Sequence, residues 1–257
     1  MKNKLNNYAD LSVCSYGEVK EKKYNYAVLP WGALEPHNYH LPYATDVLLT
    51  HALSLEAAEM AEKEYGALGG VFPPVWLGSQ NIGQWNLPFC IHARYETQKS
   101  ILGDIVESLY RQGVKRLIVV NGHGGNAFKN MVRDLAFNHS DFTIVVTDWF
   151  AILPQRDYFE EAGGHADEME TSMIMHYFPE LVQMKTAGAG KERPFASLSL
   201  NEKVGWMPRD WAKISDDTGV GNPMKATAAK GKRFAKDLVK KLALLFAEIA
   251  KGEIYTI

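Results

Sequence analysis

The sequence is short of the features that mark several whole classes of protein. Its 257 residues include only two cysteines, Cys14 and Cys90, too few for a disulfide framework or a cysteine-rich zinc module. No apolar run approaches the roughly 18 residues that a membrane-spanning helix needs. The opening stretch, MKNKLNNYADLS, has no apolar core, so no signal peptide is expected and a cytoplasmic location is the default. An excess of charge is missing too: 28 Lys and Arg face 30 Asp and Glu, a net charge of −2. A field that weak draws neither nucleic acid nor an anionic membrane surface. There is also no G-x-G-x-x-G and no P-loop, the loops whose amides cradle nucleotide phosphates.

Apolar residues, at 46%, are plentiful enough to bury a core that offsets the entropy of ordering the chain. Alpha/beta domains reach this length, and no repeat or linker interrupts it, so residues 1–257 are read as a single domain. Short apolar runs at Tyr24–Pro30, Arg116–Val120 and Phe142–Thr147 read as buried strands. Val71–Trp76 is extended, with its prolines restricting it to an edge or a strand end. Between these runs lie helical patterns: one from Asp46 to a stop at Gly66, one over 96–112, and one carrying Met131 and Leu135. A helix over 166–178 ends at Pro179, residues 186–223 read as long loops, and a last helix carries a stripe from Phe234 to Ile249. Strands alternating with helices predict an α/β fold, a three-layer α/β/α sandwich around a mainly parallel sheet.

With thiolates so scarce, any metal site must be built from carboxylates and the eight histidines, which favours zinc, manganese, iron or a similar divalent ion. Three clusters could carry chemistry. In the first, Glu35 and His37 stand two apart, on one face of an extended segment, with Asp46 at the start of a helix. That set can ligate a pair of divalent metals, although Asp46 as a helix cap and Glu35 as a surface charge explain the same residues. The second cluster, Asn121-Gly-His123-Gly-Gly-Asn126, leaves a buried strand and so points into the crevice where ligands bind in open α/β sheets. The third surrounds His165, Glu168 and Glu170. Acidic residues are ordinary at a helix start, yet Glu168 shares a face with Thr171, Ser172 and Met175. A carboxylate on a buried face needs a partner, and a cation is the simplest one.

Together these motifs resemble the creatininase (creatinine amidohydrolase) family. E-x-H-x-x-H-L-P with a following Thr-Asp, then NGHGGN, then H-A-x-E-x-E-T-S, occur in the family's order. The tail from Thr218 and the segment Ala226–Gly231 also resemble that family, so the likeness runs from about residue 24 to 250. It implies a hydrolase with two divalent ions per chain, zinc first and manganese or iron as alternatives, assembled as a homo-oligomer, often a hexamer. Carried over by position, Glu35 and His123 hold one ion, His37 the other, and Asp46 bridges both. Creatinine-hydrolysing members take a further glutamate two residues after the NGH histidine, where this chain has Gly125. Glu168 is therefore expected as the fifth ligand, with Glu170 orienting a ligand or His165.

The implied chemistry is attack on a substrate carbonyl by a hydroxide shared between the ions, with His165 protonating the leaving group. Amides of Gly124 and Gly125 would assist at the oxyanion. Family substrates span cyclic amides, a formamide, a small peptide precursor and an oxidised cyclitol. The segment Gly78–Ile91 departs from relatives, with Gln84 near their histidine, which argues against creatinine itself. Asn81, Gln84 and Asn86 suit a hydroxyl-rich substrate, and Trp85, Trp149, Trp206 and Trp211 are candidate pocket walls. Asn38 replaces the family's glycine, a position Asn can fill in the left-handed conformation. The rival reading is a non-catalytic, zinc-stabilised binding domain.

Overall fold

The computed structural model describes residues 8–161 and 163–256. Along the chain run α1 (Tyr16–Val19), β1 (Tyr26–Trp31), α2 (Thr45–Tyr65), β2 (Gly69–Val71), α3 (Tyr95–Arg111) and β3 (Arg116–Asn121). These are followed by α4 (Phe128–Asn138), β4 (Thr143–Asp148), α5 (Glu168–Tyr177), α6 (Leu198–Asn201), α7 (Trp211–Ile214) and α8 (Ala228–Lys251). All four strands pair in parallel, in the order β2-β1-β3-β4.

Strand alternation divides the core in two. Tyr26 and Val28 of β1, with Ile118 and Val120 of β3, face a cluster that also takes in α2, α5 and α8. Ala27, Leu29 and Trp31, with Leu117 and Val119, face the opposite cluster, built with α3 and α4. Both strand faces are therefore dry, which is why these runs are apolar throughout rather than alternating. The result is three layers, α/β/α, as expected. β2 stops after three residues because Pro73 and Pro74 cannot donate to a ladder. Gly66 and Gly252 end the two long helices in the left-handed conformation. Among the described residues no helix is long and apolar enough to cross a membrane.

Strand order decides where a site can form. From β1 the chain crosses through α2 to β2 on one side, then through α3 to β3 on the other. The winding direction therefore reverses between β1 and β3, and the crevice beyond their carboxyl ends is where ligands bind in such sheets.

Candidate active site

Six side chains gather in that crevice. Glu35 and His37 follow β1, Asp46 is the second residue of α2, His123 follows β3, and His165 and Glu170 flank the start of α5. All six are buried, Glu170 being the most exposed at 8%. Asp46 is not a helix cap; Ala44 stands there and makes no side-chain cap. Gly122 lets the first turn of α2 press against the end of β3. A Cβ at that position would lie 2.0 Å from Thr50 Oγ1 and 3.0 Å from the Asp46 carbonyl.

Each histidine is oriented by a backbone carbonyl. His37 Nδ1–H donates to the Glu35 carbonyl (3.0 Å), His123 Nε2–H to that of Ser79 (2.8 Å), and His165 Nε2–H to that of Pro36 (2.8 Å). The remaining ring nitrogens turn to the carboxylates. His37 Nε2 lies 3.0 Å from Asp46 Oδ1 and 3.9 Å from Glu170 Oε2. His123 Nδ1 lies 2.9 Å from Glu35 Oε1 and 3.2 Å from Asp46 Oδ2, and His165 Nδ1 lies 3.7 Å from Glu35 Oε1. Three groupings have the proximity to hold a metal ion: Glu35–Asp46–His123, His37–Asp46–Glu170 and Glu35–His37–His165. Asp46 belongs to the first two, one oxygen toward each, and its Oδ2 is buried without a hydrogen-bond donor among the described residues.

The motif NGHGGN works as a stitched loop. Asn121 Nδ2 donates to the His123 carbonyl (3.0 Å) and to Asp148 (2.8 Å), while its Oδ1 accepts from His123 N (3.1 Å) and Asn126 Nδ2 (3.0 Å). A Cβ at Gly125 would lie 2.1 Å from the Ser79 carbonyl and 2.5 Å from His123 Nε2. This backbone has no room for the glutamate that the resemblance places here in creatinine-hydrolysing members. Helix α4 begins only at Phe128, so the Gly124 and Gly125 amides belong to a loop and not to a helix terminus.

Glu168, the expected fifth ligand, lies outside the cluster. Its carboxylate accepts from the amides of Glu160 (2.9 Å) and Glu161 (2.7 Å) and pairs with Lys230 of α8. Ser172, on the same face, accepts from Thr227 N (3.1 Å), whereas Thr171 Oγ1 pairs with His40 Nε2 (2.8 Å). The cation that face meets is an ammonium on α8. Two residues further along, about 200° around the helix, Glu170 turns toward His37, and its Oε2 accepts from Ala166 N (2.6 Å).

Burial and neighbouring charges shift these groups in opposite directions. Burial opposes charge on His37, but the Asp46 carboxylate outweighs it and holds the ring's pKa up at about 10. His165, buried and beside His37, falls to about 4 and is a neutral base at physiological pH. Glu170 is pushed up to about 8 by burial and by Asp46, against the pull of His37. Burial raises the Glu35 carboxyl, yet His123 and His165 bring it below its ordinary value. Three carboxylates crowded together out of water are an arrangement that positive charge stabilises.

Beside the cluster lies a cavity of about 450 Å³. Glu35, His123 and His165 form its floor, and Trp206, Arg209 and Trp211 cover it from the 186–223 segment. Trp211 stands edge-on to His165, ring centroids 5.3 Å apart. Asn38 helps place that segment. At φ 54° it takes the left-handed conformation, its Oδ1 accepts from Gly188 N (2.8 Å), and its own amide donates to Thr218 Oγ1 (2.9 Å).

Among the residues suggested as walls, Trp149 lies in the core, while Trp85 and Asn86 are exposed and outside the cavity. Gln84 is spent within the protein: Nε2 donates to Glu35 Oε2 (2.5 Å) and Oε1 accepts from Asn81 N (2.8 Å). Asn81 and Gln84 line the cavity, and Asn86 does not. The Ser79 carbonyl and Arg209 had no signal in the sequence.

Residues 9–246 match the family model for creatininase, creatinine amidohydrolase. The chain belongs to the creatininase family. A crystal structure of a provisionally assigned creatinine amidohydrolase from Bacteroides fragilis NCTC 9343 is 54% identical, with a TM-score of 0.96, covering 97% of this chain and 99% of that one. A mycofactocin precursor peptide peptidase from Mycobacterium ulcerans (strain Agy99) is 29% identical over 82% of this chain and 80% of its own length. Creatinine amidohydrolase from Pseudomonas putida is 31% identical over 65% and 73%. This creatininase-family chain is accordingly a hydrolase, with relatives whose named substrates differ widely.

Proposed function

We propose that the cluster holds two divalent cations and that the protein hydrolyses a small molecule at a carbonyl carbon, foremost the C–N bond of a linear or cyclic amide. Glu35, His123 and Asp46 would hold one cation, and His37, Glu170 and Asp46 the other. The observation that carries this reading is the common orientation of the rings, each tied by one N–H to a backbone carbonyl. That arrangement fixes tautomers and aims lone pairs, as it does in histidine metal ligands generally. Asp46 Oδ2, buried and without a hydrogen bond among the described residues, fits it as well, since it stands with Glu35 and His123 as an unengaged donor atom. A creatininase structure of zinc–zinc type, 25% identical over 93% of this chain, favours zinc, with manganese or iron suited to the same donors.

Divalent ions bound there supply Lewis acidity, lowering the pKa of water and polarising the scissile carbonyl. The protein's own residues do the rest. His165, neutral and with Nε2–H held by Pro36, takes a proton on Nδ1 and returns it to the departing nitrogen. Gly124 and Gly125, on the cavity wall beside His123, offer backbone amides to the developing oxyanion. Trp211, buried and edge-on to His165, fixes that ring beside the reacting carbonyl. Family resemblance adds a homo-oligomer to this reading.

Elemental analysis tests the proposal. We expect about two divalent ions per chain, both lost from Asp46→Ala along with hydrolysis of a panel of lactams, formamides and cyclic ketones. One tightly held zinc per chain with no hydrolytic activity would instead support the zinc-stabilised binding domain.

A further inference from the structure

Arg209 is the one permanently charged cation lining the candidate active-site cavity among the described residues. The rest of that wall, away from the metal-ligand candidates, is neutral: Ser79, Gln80, Asn81, Asn126. Its guanidinium lies over the Trp211 ring, 4.7 Å from the centroid, and Trp211 in turn stands against His165. The guanidinium thus rests on the same indole that borders the reaction centre. Trp211 is itself held, its Nε1–H donating to the Thr218 carbonyl at 3.1 Å.

The fork is mostly unspent. Among the described residues its hydrogen bond is Nη1–H to Glu192 Oε1, at 2.7 Å, one of the five N–H donors a guanidinium carries. Both side chains are substantially exposed, at 33% and 42%. Exposed pairs of that kind are weak and readily exchanged, whereas a carboxylate can engage the fork through two parallel hydrogen bonds. A second cavity of about 640 Å³ adjoins the first and shares Trp206, Met207 and Arg209 with it. Arg209 therefore stands at the mouth between them, where a substrate longer than a single small ring would pass.

We infer that Arg209 is a specificity-determining residue and that the natural substrate is a carbonyl compound carrying a carboxylate, such as an N-acyl amino acid or the end of a short peptide. The inference rests on the hydrolase reading above. The carbonyl sits at the cluster and the carboxylate is received by the Arg209 fork, displacing Glu192. A compact neutral ring such as creatinine would leave that fork unused.

The test uses the zinc-loaded full chain with N-formylglycine, N-formyl-β-alanine and N-formyl-4-aminobutyrate, each beside its C-terminal amide. Binding is followed by quenching of tryptophan fluorescence, since Trp206 and Trp211 line the cavity, and turnover by formate release. At least one acid is expected to bind about tenfold or more tighter than its amide. Arg209→Gln should bring that ratio below about threefold, with the loss appearing in KM rather than kcat. Arg209→Lys should fall between, because it keeps the charge without the fork, and Glu192→Gln should raise the ratio. An Arg that only braced the loop would weaken acids and amides alike, leaving the ratio intact. That result overturns the inference, as does the absence of any acid preference or of any acid binding in the unmodified protein. Acid preference by fluorescence without formate release from any compound would count against the hydrolase reading on formamides and leave the assignment of Arg209 standing.

Discussion

Glu168 and Glu170 sit two residues apart at the start of one helix, both buried, and meet opposite surroundings. Glu168 faces α8, where Lys230 and two backbone amides satisfy its charge completely. Glu170 faces His37 and Asp46, where one backbone amide and a crowd of like charges leave its demand unmet. A buried carboxylate that already has a fixed cation holds the fold together. One that lacks a fixed cation is available to an ion that comes and goes. The difference lies in what packs opposite each face of α5.

Replacing residues on either side should separate the two roles. The largest effect is expected from His165→Ala, which should lower kcat by about 10²–10⁴-fold with metal content intact. Loss of metal in that variant would make His165 a ligand and remove it from proton transfer. Next comes the pair itself. Glu170→Gln should weaken metal binding by upward of about 100-fold, because groups that merely support ligands already account for 10–100-fold. Its melting temperature with metal removed should barely change. Glu168→Gln should do the reverse: metal uptake unaltered, stability down by about 1–3 kcal/mol because the amides of Glu160 and Glu161 lose a charged acceptor while Lys230 keeps Glu160, or about 2–12 °C in Tm. Equal metal loss in both variants would erase the distinction between the two faces. The smallest effect belongs to Gln84→Ala, which removes the donor to Glu35 Oε2 and should cost about tenfold in metal affinity. Titration with a chromogenic chelator would resolve it.

Local patterning made much of this legible beforehand. Apolar runs at β1, β3 and β4, the stop at Gly66 and the stripe along α8 express backbone and burial preferences that act within a few residues. Glu35, His37 and Asp46 come from one loop and the helix after it, and His123 follows directly on a strand, so short-range spacing brought them close to the correct crevice. The structure adds what those spacings lack: the reversal of winding between β1 and β3 that turns the two loops toward each other.

The choice between Glu168 and Glu170 was not legible, because a helix advances about 100° per residue and a local pattern does not say which neighbour will cover which side. Arg209 was not legible either. Residues 186–223 lack periodicity, and their place over the site depends on contacts such as Asn38 with Gly188 and Thr218, 150 and 180 positions away. By itself, then, the sequence determined most of the elements, the fold class and most of the side chains that gather in the crevice, since hydrophobic period, capping and motif chemistry are local properties. Only the tertiary structure decided which acidic residue joins the cluster and which cation guards its entrance, because those depend on the docking of α8 and the cover loop, set by packing between distant parts of the chain.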